Sequence, residues 1–160
     1  MARIEQRGPF LTLFALNQQL SALLARAMAD APLTPGDFAV YSALRIMQPT
    51  TPTELAAALG MRVTTLSSVL AKMEALAHLK RQSNPADGRS RLISLTDEGV
   101  TATERCFPAF GHAIRLFRSH LAADEQEVLR SLEAASQALQ EAAADLARDG
   151  LPGFGTSRAS

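Results

Sequence analysis

Basic side chains are concentrated in the middle of the chain. Between residues 62 and 91, six residues are basic and two are acidic, so the local formal charge is six minus two, or +4: Arg62, Lys72, Lys80, Arg81, Arg89 and Arg91 against Glu74 and Asp87. The whole chain of 160 residues has a formal net charge of zero. A basic patch in a neutral chain favours an anionic partner, because guanidinium and hydroxyl groups bind phosphate oxygens and base edges. The segment therefore predicts a nucleic-acid-binding surface.

The first element that must position these groups is a helix predicted from Val63 to about Leu79. Apolar residues recur along one side of it with helical spacing, at Leu66, Val69, Leu70, Met73, Leu76 and Ala77. The opposite side carries Thr64, Ser67, Ser68, Ala71 and Lys72. A helix face that meets only water is usually rich in Glu, Lys and Gln, whereas a face of small donors can enter a major groove. We interpret this helix as a DNA-reading helix, with a solvated surface helix as the alternative.

A turn-rich basic loop follows the helix. Lys80-Arg81-Gln82 leads into the turn-forming pairs Asn84-Pro85 and Asp87-Gly88, and Leu92 to Leu95 is a predicted strand. Two strands joined by such a loop form a β-wing, here with an arginine at its tip.

Upstream, Thr51-Pro52-Thr53-Glu54 is a capping box that opens a short helix from Pro52 to Leu59, and Gly60 ends it with a left-handed turn. Two short helices joined by a glycine turn indicate a helix-turn-helix.

These residues resemble the MarR family of bacterial transcriptional regulators. The run from Asp87 to Gly99 is similar to the family's wing signature: Asp-x-Arg, three residues, a hydrophobic residue, x, Leu-Thr, and Gly shortly after. Thr53-Glu54-Leu55-Ala56 and Leu59-Gly60 resemble its helix-turn-helix, and Thr64-Thr65-Leu66-Ser67 and Met73-Glu74 resemble its recognition helix. The chain departs from the family pattern at three places, namely Arg62 for a usual capping Ser, Ser68 for a common Arg, and Ala77-His78 for a usual Gly-Leu.

The resemblance implies a mainly α fold with a small β-wing, assembled as a triangular homodimer with winged helix-turn-helix lobes at two corners. It implies a regulator that binds a pseudo-palindromic operator in double-stranded DNA and represses until a small apolar or aromatic effector, or an oxidant, alters the spacing of its reading heads. In the family, the arginine matching Arg89 enters the minor groove, and the aspartate matching Asp87 holds that guanidinium in place. The predicted DNA-contacting residues are Thr53, Arg62, Thr64, Thr65, Ser67, Ser68, Lys72, Arg81, Asp87, Arg89 and Arg91.

The effector cannot be read from the sequence. Family ligand pockets lie between the DNA lobe and the dimer helices, where the polar candidates in this chain are Tyr41, Arg45 and His112. The alternative is that each of them is an ordinary surface residue or a satisfied core residue, because polar side chains on helices are mostly solvated.

Long helices are predicted on both sides of the lobe. One begins near Pro9, Thr34 caps a second that ends near Met47, Thr96 caps a third that runs to about Leu121 with a kink at Pro108, and a last helix ends near Arg148. The terminal helices carry more apolar surface than the lobe can cover, which predicts a two-fold homodimer, with a monomeric bundle as the alternative. We predict a helical dimerisation region at residues 1–31 and 97–149, a winged lobe at 32–96 and a flexible tail at 150–160.

No catalytic, metal or cofactor site is predicted. The sequence has no glycine-rich phosphate loop and no Gly-x-Ser-x-Gly, and its three histidines lack metal-ligand spacing with Cys106 or carboxylates. A single cysteine excludes an intramolecular disulfide and fits the reducing cytoplasm, where we expect the protein to act. The apolar run Phe10–Leu16 ends at Asn17 after seven positions, so we predict neither a signal peptide nor a membrane span.

Two alternatives to a ligand-controlled DNA-binding regulator remain open. The first is a redox-sensing regulator that uses Cys106, although the sequence places this cysteine in a helix interior rather than at a helix N-terminus that would lower its pKa. The second is a winged-helix module that binds protein. Such a module needs no basic wing tip, so Arg89 and Arg91 disfavour it.

Overall fold

The computed structural model describes residues 8–149, which form seven helices and one two-stranded antiparallel sheet. The helices are α1 (Pro9–Ala27), α2 (Pro35–Met47), α3 (Pro52–Ala58), α4 (Val63–Ala75), α5 (Asp97–Glu104), α6 (Phe107–His120) and α7 (Glu125–Asp149). The strands β1 (Leu79–Ser83) and β2 (Arg91–Leu95) lie between α4 and α5. The predicted mainly α fold with a two-stranded wing is thereby confirmed. The predicted tail at 150–160 lies outside the described residues.

Local capping chemistry explains where several helices begin. Thr34 Oγ1 accepts a hydrogen bond from the backbone N–H of Asp37 at 3.2 Å, and Thr96 Oγ1 accepts one from Gly99 at 3.1 Å. Thr51 and Glu54 form a complete capping box, in which each side chain bonds to the other residue's backbone N–H. These contacts satisfy N–H groups that the first helical turn would leave unpaired. The predicted starts of α2, α3 and α5 are therefore correct.

One hydrophobic core holds the lobe together and positions the wing. Its fully buried side chains come mainly from α2, α3, α4 and β2, and include Tyr41, Leu44, Leu55, Leu66, Leu70, Met73 and Ile93. The strands pair from Leu79↔Leu95 to Ser83↔Arg91, and Thr50 adds a bridge to Ile93 on the other side of β2. Because the core holds one end of the hairpin, the loop at its other end projects from the lobe.

Helix α4 corresponds to the predicted DNA-reading helix and ends at Ala75, earlier than the predicted end near Leu79. Ala77 has a positive φ of 56°, the N–H of Ala77 bonds to the Glu74 carbonyl, and the N–H of His78 bonds to the Met73 carbonyl at 2.8 Å. This is a Schellman motif, which reverses the chain and satisfies the last carbonyls of a helix. In the sequence, apolar residues recur with helical spacing through Ala77. The end of the helix could therefore not be recognised from this pattern. The same motif ends α3, with Gly60 at φ 61°.

The predicted kinked helix from Thr96 to about Leu121 is instead two helices, α5 and α6. Pro108 lacks the N–H that would bond to the Glu104 carbonyl, and its ring would collide with that carbonyl in a continuous helix. Cys106 lies in the break, where its N–H bonds to the Thr103 carbonyl and its carbonyl accepts from Phe110. The expectation that Cys106 lies in a helix interior was therefore wrong, since it immediately precedes α6.

The chain divides into two compact units, Met1–Phe117 and Arg118–Ser160. In the first unit, α5 packs against α2 and β2. Large apolar side chains remain exposed along α1 and along α7, including Phe10, Leu11, Phe14, Leu16 and Leu20 on α1 and Leu129, Leu132, Leu139 and Leu146 on α7. The division into a dimerisation region and a winged lobe remains a prediction. Among residues 8–149, no helix combines the length and apolar character that a membrane span requires.

Candidate nucleic-acid interface

All of the predicted DNA-contacting residues are exposed. They lie on the first turn of α3, on the N-terminal cap and outer face of α4, and on the wing, in the order Thr53, Arg62, Thr64, Thr65, Ser67, Ser68, Lys72, Arg81, Asp87, Arg89 and Arg91. Chain reversals at Gly60 and Ala77 separate α4 from its neighbours on both sides. The polar face of α4 is thus free of covering elements within the described lobe.

The N-terminus of α4 is suited to an anionic partner. Arg62 is the N-cap residue, its side chain makes no capping hydrogen bond, and the first turn contains no acidic residue. The unpaired N–H groups and the helix dipole favour negative charge at this end. Ser67 Oγ donates to the Val63 carbonyl at 2.8 Å, which leaves its oxygen as an acceptor. This end of α4 therefore presents both donors and acceptors.

Hydrogen bonds within the loop order the wing tip. Asp87 Oδ1 accepts from the backbone N–H of Arg89 at 3.0 Å, and the Asp87 carbonyl accepts from the Ser90 N–H at 3.0 Å. Asn84 contributes Oδ1 to the Ala86 N–H at 3.0 Å and donates through Nδ2 to Ser90 Oγ at 2.7 Å. The family resemblance implied a carboxylate that holds the guanidinium of Arg89. Here that carboxylate contacts the Arg89 backbone, and the Arg89 side chain forms no ion pair with any residue from 8 to 149.

A cleft of about 560 Å³ separates the start of α3 from the wing. Its lining includes three arginines, Arg81, Arg89 and Arg91, together with Thr53. Glu54 also lines it, and hydrogen bonds from the Thr51 backbone, the Thr51 hydroxyl and the Thr50 hydroxyl lower the pKa of its carboxyl group. The Glu54 carboxylate is therefore satisfied internally, and Arg89 is the cleft arginine for which the described structure shows no side-chain hydrogen bond or ion pair.

Two of the six basic residues have carboxylate partners within the lobe. Lys72 Nζ lies 2.6 Å from Asp37 Oδ2, and Arg81 pairs with Glu74 on α4. Asp37 lies outside residues 62–91, for which the formal charge of +4 was counted. Because Asp37 neutralises Lys72, that value overstates the positive charge available to bind DNA. Arg91 donates to Ser83 Oγ at 3.2 Å across the hairpin.

The three ligand candidates do not meet in one pocket. The Tyr41 hydroxyl is buried and lies 2.9 Å from His78 Nδ1, and burial and then the Asp37 charge raise its pKa. Arg45 pairs with Glu104 at 2.8 Å and stacks over the Phe107 ring, whereas His112 is exposed on α6. A separate pocket of about 350 Å³ is lined by none of them. The contacts of Tyr41 and Arg45 favour the alternative of satisfied residues.

Cys106 is fully buried, and its thiol lies 3.5 Å from the Ala102 carbonyl. This position before α6 has the dipole of a helix N-terminus but lacks the solvent access that a thiol sensor requires. Within residues 8–149, no group of three or more His, Cys, Asp or Glu side chains is arranged to hold a metal ion.

Comparisons with known proteins agree on one family. The MarR family model matches residues 31–90. The multiple antibiotic resistance protein MarR of Salmonella typhimurium is 27% identical over 121 residues, which are 75% of this chain and 84% of that protein. Among solved structures, the PcaV transcriptional regulator of Streptomyces coelicolor with its natural ligand has a TM-score of 0.70 at 26% identity, covering 86% of this chain and 96% of that one. A mutant MarR from E. coli complexed with operator DNA has a TM-score of 0.68 at 26% identity, covering 78% and 90%.

Proposed function

We propose that this chain is a MarR-family transcriptional regulator, as the match of the family model to residues 31–90 supports, and that it is a homodimeric repressor that binds a pseudo-palindromic operator and releases it in response to a small-molecule effector. Members of the family are transcriptional regulators and not enzymes. The prediction that this protein is not an enzyme is thereby confirmed. As a bacterial regulator of transcription it would act in the cytoplasm.

The wing tip is the observation that carries the DNA-binding proposal. Its loop is ordered by internal hydrogen bonds from Asn84 to Ser90, while the side chain of Arg89 has no carboxylate partner among residues 8–149. An ordered loop that presents an unpaired guanidinium is suited to a narrow, negatively charged minor groove. The relative solved with operator DNA has the same fold, which supports the same mode of binding here.

We assign the reading of bases to the N-terminal half of α4 and the binding of backbone to the cleft beside it. Thr64, Thr65 and Ser68 are exposed on the face that would enter the major groove. Arg62, at the cap of α4, and Arg91, in the cleft between α3 and the wing, are suited to flanking phosphates. The unusual Ser68 would give this protein an operator sequence different from those of relatives with an arginine there.

The homodimer is proposed from the apolar surface of α1. Phe10 is 76% exposed and Phe14 is 61% exposed, and single soluble chains rarely leave such large side chains uncovered together. A two-fold dimer would present two copies of α4 to half-sites about one DNA turn apart, roughly 34–36 Å.

Effector control is proposed because the similar PcaV regulator is solved with a natural ligand. The expected effector is a small apolar or aromatic molecule.

The decisive experiment is selection of a preferred duplex from random DNA by the full chain, followed by fluorescence anisotropy on that duplex. The logarithm of the binding constant should fall linearly with the logarithm of salt, with a slope of about −0.9 per phosphate contacted. Light scattering at micromolar concentration should give twice the mass of one chain. A scrambled duplex is the control. Failure to enrich any sequence, or a response independent of salt, would favour the protein-binding alternative.

A further inference from the structure

The recognition helix is connected to α2 by polar contacts from one face of α2. Asp37 and Tyr41 are four residues apart on that helix and therefore lie on the same side of it. Asp37 contacts Lys72 near the C-terminal end of α4, with 2.6 Å between Asp37 Oδ2 and Lys72 Nζ. Tyr41 contacts His78, whose N–H closes the Schellman motif at the end of α4. Two successive turns of α2 thus contact α4 and its end.

These contacts matter because the backbone of α4 packs mainly against α3 and β1. Buried side chains of α2 and α4 share the hydrophobic core, and the two polar contacts add to that packing. Hydrogen bonds and ion pairs require a particular direction, so these contacts add an orientational constraint to the apolar packing. The rotation of α4 about its axis determines which of its hydroxyl groups face the groove.

Asp37 has little freedom to change partners. Only 12% of its side chain is exposed, compared with 56% for Lys72. If Lys72 turned to a DNA phosphate, a largely buried carboxylate would lose its cation and would remain close to the negatively charged backbone of DNA, which is costly. Lys72 therefore has a reason to keep its partner in the complex.

We propose that Asp37, Lys72 and Tyr41 are positioning residues that orient the recognition helix, and that Lys72 acts through its ion pair with Asp37 and not as a phosphate contact. This rests on the proposed DNA-binding function and changes the role expected of Lys72 from the sequence. DNA is contacted instead by side chains on α4 and the wing that have no internal carboxylate partner.

The experiment is a double-mutant cycle on the selected operator with Asp37→Asn, Lys72→Met and the double variant, each checked for wild-type helicity and thermal unfolding. Each single variant should weaken binding roughly two- to fivefold, the size expected for a half-exposed ion pair. The double variant should be no weaker than either single one, because both remove the same interaction. The salt slope should stay at the wild-type value, since no phosphate contact is lost.

Three further variants isolate the cause. Lys72→Arg preserves the ion pair and should restore near-wild-type binding. Lys80→Met removes the same charge from the chain's other lysine, which is exposed on β1 and has no ion pair in the described structure. Tyr41→Phe keeps the ring but removes the hydroxyl, and should weaken binding at constant salt slope. If Lys72→Met instead reduces the slope by about 0.9 per protomer while Asp37→Asn tightens binding, Lys72 contacts phosphate and the proposal fails.

A purely structural role for the ion pair would lower the unfolding temperature of the variants while their folded fraction bound operator normally. That result would also overturn the proposal. If the wild-type protein selects no DNA at all, the proposed function itself fails. That result differs from one in which the wild-type protein binds its operator but Lys72→Met reduces the salt slope, which overturns only the proposal about Lys72.

Discussion

Asp87 and Arg89 are joined at the wing tip by a hydrogen bond from the backbone N–H of Arg89 to Asp87 Oδ1, 3.0 Å long. This contact is an Asx turn, in which the carboxylate shapes the loop two residues ahead. It leaves the guanidinium of Arg89 unpaired by Asp87. The acidic residue beside the proposed DNA contact therefore acts on backbone geometry.

Asp87→Ala and Asp87→Asn should have different effects on operator binding. Asp87→Ala removes the acceptor, frees the tip and should weaken binding about fivefold, corresponding to the loss of about 1 kcal/mol for one hydrogen bond. Asp87→Asn retains an Oδ1 acceptor and should bind at least as tightly as wild type, because one negative charge near phosphate is gone. Fluorescence anisotropy on one operator measures both. If Asp87→Asn binds as weakly as Asp87→Ala, the charge itself holds the guanidinium. Tighter binding by both variants would mean that only net charge matters.

Arg89→Ala should weaken operator binding more than any other single change in the wing, by roughly ten- to a hundredfold, with the fold intact. Arg89→Lys is the matched control, because it keeps the charge but loses the planar donor fork. If the fork enters the minor groove, the lysine variant should recover only part of the affinity and should lose preference for A·T-rich flanks. Full recovery by lysine would reduce the role of Arg89 to a point charge.

Ala77→Gly should stabilise the protein by about 0.5–1 kcal/mol. Ala77 has a positive φ of 56°, a conformation that costs an L-residue roughly 1–2 kcal/mol and that glycine adopts without this cost. Glycine also raises the entropy of the unfolded chain, which offsets part of the gain. Gly60 has the equivalent position after α3, and a Cβ there would meet nothing within 4 Å. Gly60→Ala should therefore destabilise by a similar amount from backbone conformation alone. Urea unfolding of both variants tests this, and a destabilised Ala77→Gly would show that the Ala77 methyl group makes an essential contact.

Gly99→Ala should destabilise the lobe by about 1–3 kcal/mol, the usual cost of overpacking. A Cβ at this position would lie 2.4 Å from the carbonyl oxygen of His78, which already accepts a hydrogen bond from the Thr96 N–H. Relief requires movement of the backbone between α4 and β1. Gly111→Ala on α6 is the control, because its Cβ would be at an ordinary 3.5 Å from Arg115 and alanine favours a helix. Thermal unfolding that ranks the two variants in the reverse order would contradict this account.

Operator binding should be insensitive to moderate peroxide, because the thiol of Cys106 is fully buried. Cys106→Ser should keep the wild-type affinity and lose about 1 kcal/mol of unfolding free energy, since a hydroxyl group enters an apolar setting. Anisotropy before and after peroxide treatment checks the first expectation, and chemical unfolding checks the second. Peroxide-induced release by wild-type protein that is absent in a folded Cys106→Ser variant would establish the redox alternative.

Features that depend on neighbouring residues could be predicted from the sequence. The caps at Thr34, Thr51 and Thr96 act on N–H groups three residues ahead, and the reversal at Gly60 needs only a residue that tolerates positive φ. The wing follows from two short strands around a turn-rich loop. Such contacts lie within one turn of the chain, so the order of the side chains determines their geometry. The helix starts and the wing were accessible for this reason, whereas the family was suggested by the resemblance of the motifs between Thr53 and Gly99.

The sequence did not determine the partners of those side chains. Lys72 was predicted to contact DNA, yet its ammonium meets Asp37, 35 residues away in sequence, and Tyr41 meets His78 across a separation of 37 residues. Ala77 reverses the chain after α4, although its Cβ disfavours the positive φ that this reversal requires. Tertiary packing decided these points, because the core fixes the distance between α2 and the end of α4, and polar groups brought together there lower their free energy by pairing.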